Sequence, residues 1–135
     1  MPAPKDAWTS SSTSESKPWG ETHVWHALGH IHGKLIHIRK GERTSLKYHK
    51  VKTEIFFVIS GELKVTFGNS KTLKNPEKYP YQTKTLRPME VLYVQSECPY
   101  RLEATEDSQV IEVGDRVTDE PVRIDDDYGR ETTSG

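Results

Sequence analysis

Hydrophobic and polar residues alternate through three stretches of the chain: Lys34-Leu35-Ile36-His37-Ile38-Arg39, Glu62-Leu63-Lys64-Val65-Thr66-Phe67 and Gln109-Val110-Ile111-Glu112-Val113. Successive side chains of a strand point to opposite faces, so a period of two predicts strands with one face on a core. The run Ile55-Phe56-Phe57-Val58-Ile59 has no polar position and predicts a strand buried on both faces. Gly33, Gly41, Gly61, Gly68 and Gly114 fall between or beside these segments, where the chain must turn. No long stretch carries a helical repeat with caps. Short strands with turns every ~8–12 residues predict an all-β fold. A small antiparallel jelly-roll barrel, which hides strand edges by doubling or closing the sheet, fits the length.

Three segments break the alternation. Residues 9–16 are all Ser and Thr except Glu15. They are too polar to order themselves, so residues 1–17 are expected to form a disordered, flexible N-terminal tail. Residues 69–84, punctuated by Asn69, Asn75, Pro76 and Pro80, predict a loop or long irregular hairpin. Residues 125–135 predict an acidic, then polar, C-terminal tail that docks by a few anchors or frays. The barrel is thereby expected over residues 18–124 as a single domain.

Composition narrows the function classes. Hydrophobic residues make up 33% of the 135 positions, against about 45–50% in ordinary globular chains, so the core is small. The net charge of −1 argues against a nucleic-acid module that neutralises phosphates. No apolar run reaches the ~18 residues of a spanning helix, and no basic start precedes an apolar segment, so a soluble, cytoplasmic protein without membrane or nucleic-acid partners is expected. The single cysteine, Cys98, excludes an internal disulfide framework and a multi-cysteine zinc site.

The segment from Gly41 to Gly61 gathers the chemistry. In strand geometry Ser45, Lys47 and His49 share one face and Leu46 and Tyr48 the other. Glu54 then stands at the mouth of the apolar run. The spacing resembles the first cupin signature, Gly-x5-His-x-His-x3-4-Glu-x6-Gly: Gly41, His49, Glu54 and Gly61 match in register, with Lys47 in the first His position. Lys17-Pro18-Trp19-Gly20, Ser45-Leu46, Pro99, Arg101-Leu102-Glu103, Ile111-Glu112-Val113, Val122-Arg123 and Asp127-Tyr128-Gly129-Arg130 resemble the cupin domain of type II mannose-6-phosphate isomerases. The resemblance runs from about Lys17 to Arg130. The nucleotidyltransferase half that usually accompanies that domain has no counterpart in these residues.

That resemblance implies aldose-ketose chemistry on a phosphorylated sugar, with a divalent ion held by three His and one Glu, or by Gln in the first position. Here the four positions read Lys47, His49, Glu54 and Tyr100, and Met89 and Glu97 occupy usual glycine positions of the second signature. A protonated lysine has no free lone pair, so only His49 and Glu54 remain as ligands for zinc or a similar ion. The favoured expectation is no cofactor. The Lys47 ammonium would then replace the ion's charge, paired with Glu54 and bordered by His49 and Tyr100. Catalytic candidates are accordingly Lys47, His49, Glu54 and Tyr100. By resemblance Arg101 would contact substrate, although strand parity sets it opposite Tyr100. The rival readings are a non-catalytic sugar- or metabolite-binding cupin, and a metal-free sugar-nucleotide epimerase or ketoisomerase with His49 as base and Tyr100 as acid. The expected partners are a sugar or sugar phosphate and a second copy in a homodimer.

Other features read more plainly. His23, His26, His30 and His32 are expected at the surface, Trp19 and Trp25 in core or interface, and Lys71, Lys74, Lys78 and Lys84 on a solvated loop. Arg123 and Arg130, with residues 125–128, are expected to act as a structural clasp.

Overall fold

The computed structural model describes residues 4–115 and 120–130. The elements are β1 (Thr13–Lys17), β2 (Gly20–Val24), β3 (Ile31–Ile38), β4 (Leu46–Tyr48), β5 (Glu54–Ser60), β6 (Leu63–Phe67), α1 (Ser70–Lys74), β7 (Gln82–Leu86), β8 (Val91–Val94), β9 (Tyr100–Ala104), β10 (Ser108–Asp115) and β11 (Val122–Asp125). They form two antiparallel sheets, ordered β1-β2-β3-β10-β5-β8 and β11-β4-β9-β6-β7. This is the expected all-β jelly roll. Ile36 and Ile38 of β3, Phe56 and Val58 of β5 and Val110 of β10 face Leu63 and Val65 of β6 and Leu102 and Ala104 of β9, and together make the core. The alternation read from the sequence is the alternation of burial along these strands.

Glycine is required at the β5–β6 turn. Gly61 has φ +88°, and a Cβ there would collide with the Asp107 carbonyl oxygen. Gly20 has the same role against the His37 carbonyl oxygen, which lets β2 lie close to β3.

Three expectations are corrected. Thr13–Lys17 belongs to the sheet as β1, paired along its whole length with β2, so the N-terminal tail is shorter than residues 1–17. Backbone pairing holds this strand while its first four side chains stay exposed, and so its polar sequence gave no sign of it. Residues 69–84 include α1, whose Asn69 side chain accepts from the amides of Lys71 and Thr72, and the start of β7, which pairs with β6. In β5, Ile55 and Ile59 are 42% and 40% exposed, so one face of the apolar run is open, as antiparallel sheets permit. Of the two expectations for the C-terminal segment, docking by a few anchors is what the structure shows through residue 130: Arg43 donates to Asp127, Tyr128 donates to Glu42, and Arg130 donates to Asp126. The parts of the expected tails at residues 1–3 and 131–135 lie outside the described residues.

Candidate functional site

One end of the barrel interior is charged. The strands that cross it carry polar residues inward, two positions from apolar ones. Lys34 precedes Ile36 on β3, Glu54 precedes Phe56 on β5, Glu112 follows Val110 on β10, and Tyr100 precedes Leu102 on β9. Register then brings them together. Lys34 pairs with Glu112, Glu112 with Phe56 and Gly114 with Glu54, so the two carboxylates are diagonal neighbours on one face. Across the barrel, Lys47 of β4 pairs with Tyr100.

Glu54, Glu112 and Tyr100 are 2%, 5% and 2% exposed. The Tyr100 hydroxyl donates to Glu54 Oε1 at 2.8 Å, and His49 Nε2 lies 3.4 Å from the same oxygen. Lys52 Nζ sits between the carboxylates, 3.5 Å from Glu54 Oε2 and 3.8 Å from Glu112 Oε2. Lys34 Nζ is 3.6 Å from Glu112 Oε2. Burial, and then the charge of the neighbouring Glu54, push the Glu112 carboxyl above the usual carboxylate range. Burial and the same two carboxylates hold the Tyr100 hydroxyl well above its ordinary value, so it remains a donor.

Of the four catalytic candidates, the structure brings His49, Glu54 and Tyr100 into direct contact and sets Lys47 beside them. The expected Lys47–Glu54 ion pair does not form. The cation on Glu54 is Lys52, while Lys47 Nζ lies over the Tyr100 ring, 5.9 Å from its centroid. Among the described residues no carboxylate oxygen comes within 4 Å of Lys47 Nζ. Burial lowers the Lys47 ammonium to about 8, with Glu112 and Glu54 opposing and Lys34 and Arg123 adding to the shift.

Arg101 is not part of this cluster. It leaves β9 on the face opposite Tyr100, where Nε donates to the Thr44 carbonyl at 2.8 Å and the two terminal nitrogens reach Asp125. Arg101, expected to contact substrate, thus lies outside the cluster and joins β9 to Thr44 and Asp125.

Glu112, Lys34 and Lys52 were missed in the sequence. The signal for the first two was available: Glu112 shares strand parity with Val110, and Lys34 with Ile36 and Ile38, so both had to face inward. His32, with the same parity as Lys34, is half-buried, and its pKa is lowered by burial first and then by Lys52. It belongs with the interior and not with the surface histidines His26 and His30.

A divalent ion of the kind found in this fold does not suit the donor set. Lys47 and Tyr100 stand at two of the four positions, and Glu54 is already engaged by Tyr100, His49 and Lys52. Among the described residues no group of three His, Cys, Asp or Glu converges on a common point. No step is routed through a metal below.

Residues 5–113 match the family described as mannose-6-phosphate isomerase C-terminal. The chain belongs to this family. Its fold is shared with solved cupin structures of low identity. KdgF from Halomonas sp. superposes with a TM-score of 0.64 at 15% identity, over 78% of this chain and 88% of that one. An oxalate decarboxylase variant from Bacillus subtilis superposes with a TM-score of 0.70 at 16% identity, over 88% of this chain and 34% of the other, so the chain spans about a third of that protein. A search of curated proteins returns no match. Within the mannose-6-phosphate isomerase C-terminal family fold, the interior pair Glu54–Glu112 and its lysines are the features around which chemistry can be built. No helix among the described residues is long and apolar enough to cross a membrane.

Proposed function

We propose that this chain acts on a phosphorylated sugar by aldose-ketose proton transfer without a metal. The observation that carries the reading is the Glu54–Glu112 pair, two buried carboxyls bridged by Lys52. Glu112, whose proton affinity burial raises, is assigned as the base. It takes the proton from C2 of the aldose and returns it to C1. The C1 carbonyl oxygen gains a proton as the ene-diol forms, and the C2 hydroxyl loses one as the ene-diol collapses to the ketose, so the overall step has no net proton change. Tyr100 holds Glu54 in place through its hydroxyl, and His49 borders the same oxygen. Negative charge that develops on the substrate oxygens meets the field of Lys34, Lys47 and Lys52. Of these Lys47, with no carboxylate in contact among the described residues, is the one assigned to the ligand. Positioned acid-base groups of this kind contribute ~10²–10⁴-fold.

The test is proton NMR of mannose 6-phosphate and fructose 6-phosphate in deuterated water, with and without chelator. The expected result is interconversion with deuterium incorporation at C2 that survives chelator and is lost in Glu54→Gln and Glu112→Gln. Absence of both conversion and exchange at high protein concentration overturns the reading. One observation favours a second reading, a binding protein without turnover: the contacts of Tyr100, His49 and Lys52 occupy both oxygens of Glu54. Sugar phosphate binding with no exchange in the same experiment would establish it.

A further inference from the structure

Lys47 has a second cation beside it. Arg123 of β11 is its direct register partner across the antiparallel pair with β4, so both side chains leave the sheet on the same side. Tyr100 partners Lys47 on its other flank, and Tyr100 faces the interior. Arg123, Lys47 and Tyr100 therefore form one row on the inner wall. Direct partners have Cβ atoms ~4.5–5.5 Å apart, and like charges set opposite each other in this way repel.

No described residue relieves that repulsion. The two interior carboxylates are engaged by Lys34, Lys52, His49 and Tyr100. Asp125, the acid nearest in sequence to Arg123, lies on the other face with Arg101. Arg123 Nε is buried and has no hydrogen-bond partner. A buried donor left unmade costs stability, and a buried charge without a counter-charge costs more. Two cations side by side on one wall of the barrel, one of them half-buried with an unpartnered Nε, favour negative charge between them.

We infer that Lys47 and Arg123 together hold the anionic group of the ligand, an oxyanion of phosphate or carboxylate type. The arginine supplies directional N–H donors and the lysine a compact point charge, the combination that suits an oxyanion with several acceptor oxygens. This deepens the proposed function, on which it rests for the identity of the anion as a sugar phosphate. The site was read from the sequence as a structural clasp. In the structure the clasp consists of Arg43, Asp126, Asp127, Tyr128 and Arg130, and Arg123 takes no part in those contacts.

The test is calorimetric titration of the full chain with inorganic phosphate, and separately with acetate, at constant ionic strength in chloride. Saturable phosphate binding is expected, weakened at least tenfold in Arg123→Gln and in Lys47→Met and partly restored in Arg123→Lys. Lys84→Gln, on the exposed part of β7, is expected to bind as the parent does. Circular dichroism melts confirm that each variant is folded. Preference for phosphate identifies a phosphate ester as the ligand group, and preference for acetate identifies a carboxylate. No saturable binding of either anion, or binding unchanged in both Arg123→Gln and Lys47→Met, overturns the inference. The outcome separates from that of the isomerase reading. Phosphate binding without sugar turnover leaves the anion site standing and removes the isomerase. Turnover in Arg123→Gln with an unchanged KM does the reverse.

Discussion

Along β3 the inward residues run Lys34, Ile36, Ile38; along β5 they run Glu54, Phe56, Val58; along β9, Tyr100, Leu102, Ala104. Each strand passes from a charged or polar residue to a wholly apolar core within four positions. The apolar end, with Ile38, Val58, Leu63 and Val110 at 0% exposure, is held by burial of hydrophobic surface. The polar end gains little from burial, because every charge there loses hydration and must recover it from a partner. One end of the barrel stabilises the fold, and the other is an arrangement the fold has to sustain. Substitutions at the two ends are therefore expected to act on different observables.

The largest effect is expected from Glu112→Gln. If Glu112 moves the proton, turnover falls ~10²–10⁴-fold, while thermal stability changes far less than for a core truncation. Leu102→Ala, on the same inner surface but at the apolar end, is expected to cost ~2–5 kcal/mol in denaturant unfolding. At temperatures where it remains folded it should retain turnover. If Glu112→Gln proves as destabilising as Leu102→Ala and leaves exchange intact, the polar end is structural and the contrast fails.

Lys47 sharpens the contrast through pH. Its ammonium is held at about 8, below the ordinary 10.5 of lysine, chiefly by burial. Below about pH 8 the folded and unfolded chains both carry the proton, and the folded state bears the whole desolvation cost. Between about 8 and 10.5 the unfolded chain still binds a proton that the folded chain has lost, so stability rises with pH across this window. Lys47→Met is expected to flatten that rise and to stabilise the fold at pH 7 by on the order of 1–3 kcal/mol. Denaturant melts at pH 7 and pH 10 check both. A variant more stable than the parent yet unable to bind phosphate would show that the residue is kept for function.

How much of this could be read from the sequence depends on the kind of signal. The barrel was legible because period-two alternation is a direct image of which face is buried, and because Gly41, His49, Glu54 and Gly61 keep the cupin spacing. His49, Glu54 and Tyr100 were legible as a group for the same reason. The pairing inside the group was not. Lys52 lies before β5 in a segment without alternation, so nothing in its spacing shows that it reaches Glu54. β1 was hidden because edge pairing through the backbone leaves polar side chains exposed.

Arg101 tests the boundary from outside. The resemblance implied substrate contact, whereas the structure ties its guanidinium to Thr44 and Asp125. Arg101→Ala is expected to cost about 1–3 kcal/mol through the lost charge-assisted hydrogen bonds and to leave the KM for sugar phosphate unchanged. Arg101→Lys should not rescue stability, since an ammonium cannot make the forked contact. A raised KM with unchanged stability would return Arg101 to the site.

The smallest expected effect concerns backbone at the rim. Met89 and Glu97, at the family's usual glycine positions, have φ of +79° and +68°, the left-handed region in which a side chain crowds the following carbonyl. That crowding costs roughly 1–2 kcal/mol, against a loss of roughly 0.5–1 kcal/mol when glycine's greater freedom in the unfolded chain is taken into account. Met89 is 76% exposed, so its side chain offers little packing to lose, and its amide bond to the Val58 carbonyl does not depend on the side chain. Met89→Gly is therefore expected to stabilise by about 0.5–1 kcal/mol in denaturant melts. Glu97→Gly should behave alike, keeping its amide bond to the His49 carbonyl and hence the position of His49 beside Glu54. If Glu97→Gly instead lowers turnover while the melt improves, the side chain and not the turn holds His49 in place. The rim would then belong to the functional end of the barrel.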